Sequence, residues 1–374
     1  MKIELRKVSH ENKGAELMLR AMVAHCAGRP GVELTGRLQV GPRERRAALD
    51  IQTLLYASRG AWFATTPRLL PPRAVRDRLG LVHPADLDVV LDASGFAYGD
   101  QWGPDRALQA ASYFHYVRRH GAKVVLMPQS FGPFEKAKVR RAAKKLLGEV
   151  DLVFPRDATA MRCVEELNGP SERIIQSPDF TPLVHGEVPV DLDLSDKAAA
   201  VIPNLKMVEM TGVRPGAYES FVADVIEVFF EHGLRPFFLL HATQDVDLVE
   251  RIRLRVARFV PVVRESDALR LKGIISKCHV AMCSRFHGLV NSLCQAVPVV
   301  ATGWSHKYKH LLEEYHCPEA LFDVRDDRDV LKDRVAEMLT PKRHAQLRRK
   351  LRLRAEWHRE QVVSMWDRVD ALVG

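Results

Sequence analysis

Cysteine is scarce in this chain. Its 374 residues hold six, at Cys26, Cys163, Cys278, Cys283, Cys294 and Cys317. That is too sparse for a disulfide-stapled scaffold, and a reducing cytoplasm is the simplest setting. The group Cys278, His279, Cys283 and His287 fits no standard zinc spacing. Cysteines buried in a core explain it more simply, so no metal is expected. No apolar run is long enough to cross a bilayer. The opening residues Met1-Lys2-Ile3-Glu4-Leu5-Arg6-Lys7 lack the apolar core of a secretion signal. No GxxxxGKS or GxxxxGKT string occurs, which excludes a P-loop. The three-glycine dinucleotide fingerprint is missing too, which argues against a Rossmann dehydrogenase. No repeat of solenoid length is visible.

What is present is ordinary globular material, 47% apolar and 28% charged, with a formal charge of +9. The charge favours acidic partners: nucleotides, nucleic acid, anionic lipid or a phosphorylated substrate. Most basic residues are scattered. One dense run, from Lys342 and Arg343 through Arg348, Arg349, Lys350, Arg352 and Arg354, has no interleaved aromatics to stack on bases, so nucleic acid is not the expected partner. The run reads most simply as the solvated face of a helix, with anionic lipid as the alternative.

Short apolar runs alternate with amphipathic stretches, the signature of parallel α/β units. Strands are expected at Ile3–Val8, Leu87–Asp92, Lys123–Met127, Leu152–Phe154 and Ile174–Ile175, with a less regular region from about residue 27 to Leu81. Residues 184–197 turn acidic and lose periodicity, as a linker does. A second cycle follows, with strands at Ala198–Ile202, Pro236–Leu240, Val262–Val263, Val280–Cys283 and Val297–Ala301. The expected domains are 1–185 and 198–339, followed by a helix over 340–374 that packs back across them. Thr340 and Pro341 start that helix, and Leu347, Leu351, Trp357, Val362, Trp366 and Val369 form its apolar stripe.

In parallel sheets, ligands bind beyond the carboxyl ends of the strands. The residues just after each expected strand include Asn12 and Gly14, Ser94 and Gly95, Gln129, Arg156, Asp179, His241, Ser284-Arg285-Phe286-His287 and Lys307. The clearest of these is Val280 to Leu289, an apolar strand turning into a helix. Ser284 is its expected N-cap, and Arg285 and His287 stand in the first turn. Such a helix start attracts phosphate or carboxylate, and an arginine there opposes the dipole unless a partner compensates. His287 can hold an anion or move a proton, its pKa pulled down by the helix end and up by a bound anion. Each position also has a plainer reading. Asn12 to Gly14 suits a tight turn, Asp157 suits a cap, Ser94-Gly95 is weak as a phosphate loop, and His241 suits a turn contact.

Taken in order, these pieces resemble the polysaccharide pyruvyl transferase family. The pieces are the Asn-x-Gly turn, Ser94-Gly95, Met127-Pro128-Gln129-Ser130-Phe131-Gly132-Pro133, Arg156-Asp157, Ser177-Pro178-Asp179, His241 with Asp245, Ser284-Arg285-Phe286-His287-Gly288, and Val297-Pro298-Val299-Val300 with the lysine loop beyond. The resemblance implies two facing Rossmann-like domains of the GT-B glycosyltransferase type. It implies transfer of the enolpyruvyl unit of phosphoenolpyruvate to two hydroxyls of a sugar, in envelope or exopolysaccharide synthesis. Arg156, Arg285 and Lys307 would then hold the donor anion, with His287 and Arg285 catalytic. No cofactor is implied. The expected acceptor is a saccharide, lipid-linked forms included, and the expected location is the cytoplasm, with peripheral contact at the inner membrane face through the basic C-terminal helix as a further option. A nucleotide-sugar glycosyltransferase and a non-catalytic carbohydrate-binding relative share the same expected fold. The sequence carries no signal of oligomeric state.

Overall fold

The computed structural model describes residues 1–55, 71–190, 192 and 194–374. Its chain divides into two units. The first comprises Met1–Glu11, Ala15–Thr181 and Gln361–Gly374; the second comprises Asn12–Gly14 and Pro182–Glu360.

The first unit is built on a seven-stranded sheet: β1 (Lys2–Arg6), β2 (Glu33–Gly36), β3 (Ile51–Leu54), β4 (Leu81–Val82), β5 (Val89–Asp92), β6 (Lys123–Gln129) and β7 (Leu152–Pro155). Their order is β4-β3-β2-β1-β5-β6-β7, and every pairing is parallel. Strand order reverses between β1 and β5, where Arg6 lies level with Asp92. β5 and most of β6 are buried throughout, as expected when helices cover both faces. The helices Asp105–Arg119 and Ala137–Gly148 bring Phe114, Val117, Leu146 and Leu147 into one core with Val90, Val124 and Leu126.

The second unit carries five parallel strands: β8 (Ala198–Ile202), β9 (Arg235–Leu240), β10 (Val262–Arg264), β11 (Val280–Cys283) and β12 (Val299–Ala301). Their order is β10-β9-β8-β11-β12, so this sheet reverses between β8 and β11. One face packs on the helix Ala217–Glu231 through Phe221, Val225 and Phe229. The other packs on the helix Phe286–Leu293 through Leu289, Val290 and Leu293.

Several expectations need correction. The region expected to be irregular contains β2, β3 and β4. β2 and β3 mix polar with apolar residues and β4 is two residues long, so none of them shows the apolar run that marks a buried strand. The part of that region at 56–70 lies outside the described residues, as do positions 191 and 193 of the expected linker. Ile174–Ile175 is not a strand: Ile174 makes one isolated bridge to Val153. The lysine loop is helical from His306 to Glu314.

The last helix runs from Pro341 to Val373. Leu347, Leu351, Ala355, His358, Val362, Trp366 and Val369 form a buried row along it, at steps of four, four, three, four, four and three, and His344 and Met365 are buried beside them. Trp357 falls one residue off that row and is 40% exposed. In the first unit Trp366 stacks on His25 at 3.8 Å and meets Phe180 edge-on at 6.1 Å. Part of the basic run fastens the helix to the second unit. Arg354 donates to the Glu314 carbonyl at 2.9 Å, Lys350 to the His316 carbonyl at 2.7 Å, and Arg343 pairs with Glu319 at 3.1 Å. Cations thereby satisfy carbonyls left open where the helix His306–Glu314 ends.

Candidate functional site

The second unit gathers its chemistry at the carboxyl end of its sheet. β11 ends at Cys283, and Ser284 follows with no solvent exposure. Ser284 is not the helix cap. Arg285 holds that position with extended backbone, and the helix begins at Phe286. The Ser284 hydroxyl instead accepts from Tyr218 at 2.7 Å, and its carbonyl accepts from Asn204 at 2.9 Å and Tyr308 at 3.0 Å. A shift of one residue in a strand turns a side chain from solvent to core, which periodicity at a strand end does not resolve. Ser284 thus anchors the turn at the point where strand order reverses.

Arg285 has the compensating partner that its place at a helix start demands. Its Nε donates to Asp245 Oδ2 at 2.7 Å, and Nη2 lies 2.5 Å from the same oxygen. The Leu205 amide donates to the other carboxylate oxygen at 3.0 Å. Burial raises the Asp245 pKa above the usual carboxylate range, while Arg285 and the Leu205 amide pull against that rise. The sequence pairs Asp245 with His241 in one motif and gives it no role; the structure makes it the residue that aims Arg285.

His241 follows β9 and is buried at 6% exposure. Burial first, then the charges of Arg285, His287 and Lys13, push its pKa down to about 3, so its ring stays neutral. Its Nε2 has no hydrogen-bond partner among the described residues. A Cβ on Gly288 would sit 3.3 Å from Ile202, tighter than ordinary contact, and 3.6 Å from the His241 ring, an ordinary one.

Residues 12–14 belong to this unit. The Gly14 amide donates to Asn12 Oδ1 at 3.0 Å, a tight side-chain turn. A Cβ on Gly14 would fall 2.0 Å from His287 Nδ1, so only glycine leaves room for the imidazole. Lys13 donates to the Ser266 carbonyl, tying the same turn to the loop before the helix Ala268–Ser276. Lys307 stands over Phe286 at 4.9 Å and Trp304 at 5.1 Å, a cation held on aromatic faces.

The remaining expected residues lie in the first unit. Ser94 donates to Asp92 through its hydroxyl, and its amide donates to the same oxygen at 3.1 Å. Gly95 has φ +68, and its carbonyl accepts from the Ser130 amide at 2.9 Å. Arg156 donates to Ser130 at 3.0 Å and lies 3.5 Å from Asp179. Gln129 is fully buried and donates weakly to the Asp92 carbonyl at 3.4 Å. Asp157 caps its helix by accepting from Ala160 at 2.8 Å.

No group of three or more His, Cys, Asp or Glu side chains among the described residues could hold a metal. Burial pushes the Cys278 and Cys283 thiols up to about 12, which keeps them protonated and poor as ligands. Among the described residues, no helix is long and apolar enough to cross a membrane.

The sequence profile of the polysaccharide pyruvyl transferases matches residues 12–306. The amylovoran biosynthesis protein AmsJ of Erwinia amylovora is 22% identical over 267 residues, covering 65% of this chain. The chain matches 63% of the length of that curated relative. Among solved structures, Anabaena Alr3699/HepE in complex with UDP superposes with a TM-score of 0.58 at 11% identity, covering 100% of this chain and 99% of that one. A glycosyltransferase from Rickettsia africae gives 0.57 at 10% identity, covering 100% and 97%. At such identities the likeness is one of fold: the GT-B type, with two Rossmann-like sheets and a long terminal helix.

Proposed function

The chain belongs to the polysaccharide pyruvyl transferase family, and from that membership we propose that it moves the enolpyruvyl unit of phosphoenolpyruvate onto two hydroxyls of a sugar. The product is a cyclic ketal, and phosphate is released. The name of its relative AmsJ suits a step in exopolysaccharide synthesis. One observation carries the reading: Lys13, His241, Arg285 and His287 lie close enough at one sheet end that three of them depress the fourth's pKa. Such a place is short of negative charge. Phosphoenolpyruvate brings a phosphate and a carboxylate within a few bonds.

The chemistry needs one proton delivered to carbon and two taken from hydroxyls. A proton joins the methylene carbon, and the first hydroxyl adds at the adjacent carbon and loses its proton. The carbon–oxygen bond to phosphate then breaks with its electron pair on the phosphate. The second hydroxyl closes the ketal and gives up its proton. One hydroxyl proton is thus balanced by the new methyl hydrogen, and the other ends on phosphate. In this reading His287 moves a proton and Arg285, aimed by Asp245, holds an anionic group. His241 stays neutral and offers a hydrogen bond rather than charge. Lys307 is a further proposed contact for the donor, and Arg156 is a proposed substrate-binding residue of the first unit.

The direct test supplies purified protein with phosphoenolpyruvate and a panel of lipid-linked and nucleotide sugars. Acceptor-dependent phosphate release is expected. Tight nucleoside diphosphate binding with no response to phosphoenolpyruvate would replace this reading with a nucleotide-sugar glycosyltransferase.

A further inference from the structure

The first unit has a cavity that the proposed reaction centre does not use. It measures about 280 Å³ and is lined by Arg6, Lys7, Arg37, Arg106, Gln39 and Gln109, with apolar Leu5, Val8 and Val40. It opens beyond the carboxyl ends of β1 and β2, where parallel sheets place ligands. Among the described residues no carboxylate lines it. Two acids stand behind it, both fully buried, and both are occupied. Asp92 pairs with Arg6 at 2.7 Å, and Glu4 accepts from Arg37 at 3.2 Å and Tyr113 at 2.6 Å. Two carboxylates therefore face four cations.

Several features show that the excess charge is concentrated. The Arg6 and Arg37 guanidiniums each lie 4.9 Å from the Tyr113 ring. Arg6 is only 4% exposed, and its Nη1 has no hydrogen-bond partner among the described residues. Partial burial, then Arg6, Arg37 and Arg106, lower the Lys7 pKa against the pull of Asp92. Lys7 sits at φ +63, a left-handed backbone that is uncommon for lysine and turns the chain at the cavity rim. Arg106 is braced over the Trp102 ring at 4.2 Å. Four cations held together against two buried acids leave an excess of positive charge, which is what a multiply charged oxyanion requires.

We infer that this cavity is an oxyanion site that takes the phosphoryl group of a phosphorylated saccharide, with the Gln39 and Gln109 amides meeting neighbouring hydroxyls. The choice of a phosphorylated saccharide as ligand rests on the pyruvyl-transfer reading; the binding of a multiply charged oxyanion does not. The test is calorimetry on the full chain, with inorganic pyrophosphate and glucose 1-phosphate as probes and phosphoenolpyruvate present at saturation. Pyrophosphate is expected to bind one to one, and the Lys7→Gln/Arg106→Gln variant to weaken it by about tenfold or more. Phosphoenolpyruvate should bind that variant unchanged. Both substituted positions are exposed, so the fold should survive. Wild-type pyrophosphate affinity in the variant, or loss of its binding under saturating phosphoenolpyruvate, overturns the site. Glucose 1-phosphate binding tighter than inorganic phosphate supports a saccharide ligand, and equal or weaker binding overturns that part. If phosphoenolpyruvate itself fails to bind, the transfer reading falls, and the pyrophosphate comparison still decides the cavity.

Discussion

Gly14 is the residue on which the second-unit site is most exposed to a single change. A methyl group there would overlap His287 Nδ1. Gly14→Ala should therefore cost about 1–3 kcal/mol if the ring stays, or swing the ring away at little cost in stability. In the second case turnover should fall about a hundredfold, read as phosphate release beside an unchanged melting temperature. Full turnover in that variant would separate His287 from the chemistry. Asp245 is the companion case. It is fully buried and holds Arg285, so Asp245→Ala should destabilise the protein by about 3 kcal/mol in urea titrations, because a partly buried cation loses its counter-charge. His241 carries a pH signature. Its folded pKa is depressed from 6.5 to about 3, so below pH 6.5 the unfolded chain takes up the proton first. Stability should fall as pH drops from about 6.5 toward 3, by at most about 1.4 kcal/mol per pH unit from this group. His25, His83, His279 and His344 are depressed as well, so the informative quantity is the flatter slope of His241→Gln. Which strand-end residues cluster was partly legible. His241, Arg285 and His287 stand out by position. Tyr218 and Tyr308 do not, since they reach the turn from elsewhere in the chain.

Elements written as unbroken apolar runs or as long periods were the legible ones. The apolar strands Val89–Asp92, Leu152–Pro155 and Val280–Cys283 and the long terminal helix are plain in the sequence. β2, β3 and β4 are not, because polar residues interrupt β2 and β3, β4 has only two residues, and neighbouring strands specify them. The terminal helix makes this argument testable. Trp366 is 4% exposed and Trp357 is 40% exposed, although the two share a type and a helix. Trp366→Ala should cost about 3–5 kcal/mol in denaturant titrations, and Trp357→Ala well under about 1 kcal/mol. Equal costs would show that the buried row has been assigned to the wrong side of the helix. The basic run on this helix divides in the same way. Arg343, Lys350 and Arg354 fasten it to the second unit, while Arg349 and Arg352 are exposed.

At the scale of the whole chain the net charge of +9 should be felt by any anionic substrate. Raising ionic strength from about 0.01 M to about 1 M shortens the screening length from about 30 Å to about 3 Å, so the KM for phosphoenolpyruvate should rise with salt more than kcat falls. A salt-independent KM would confine the electrostatics to direct contacts. The alternation of strand and helix, the absence of nucleotide fingerprints and the ordered motifs were all set by the linear chain. They depend on period and spacing, which are properties of neighbours in sequence. Tertiary structure alone decided that Ser284 turns inward to Tyr218, that Asp245 rather than solvent answers Arg285, and that four cations converge beside Tyr113 in the first unit. Each joins residues tens of positions apart, and such contacts exist only once the sheet of that unit has assembled.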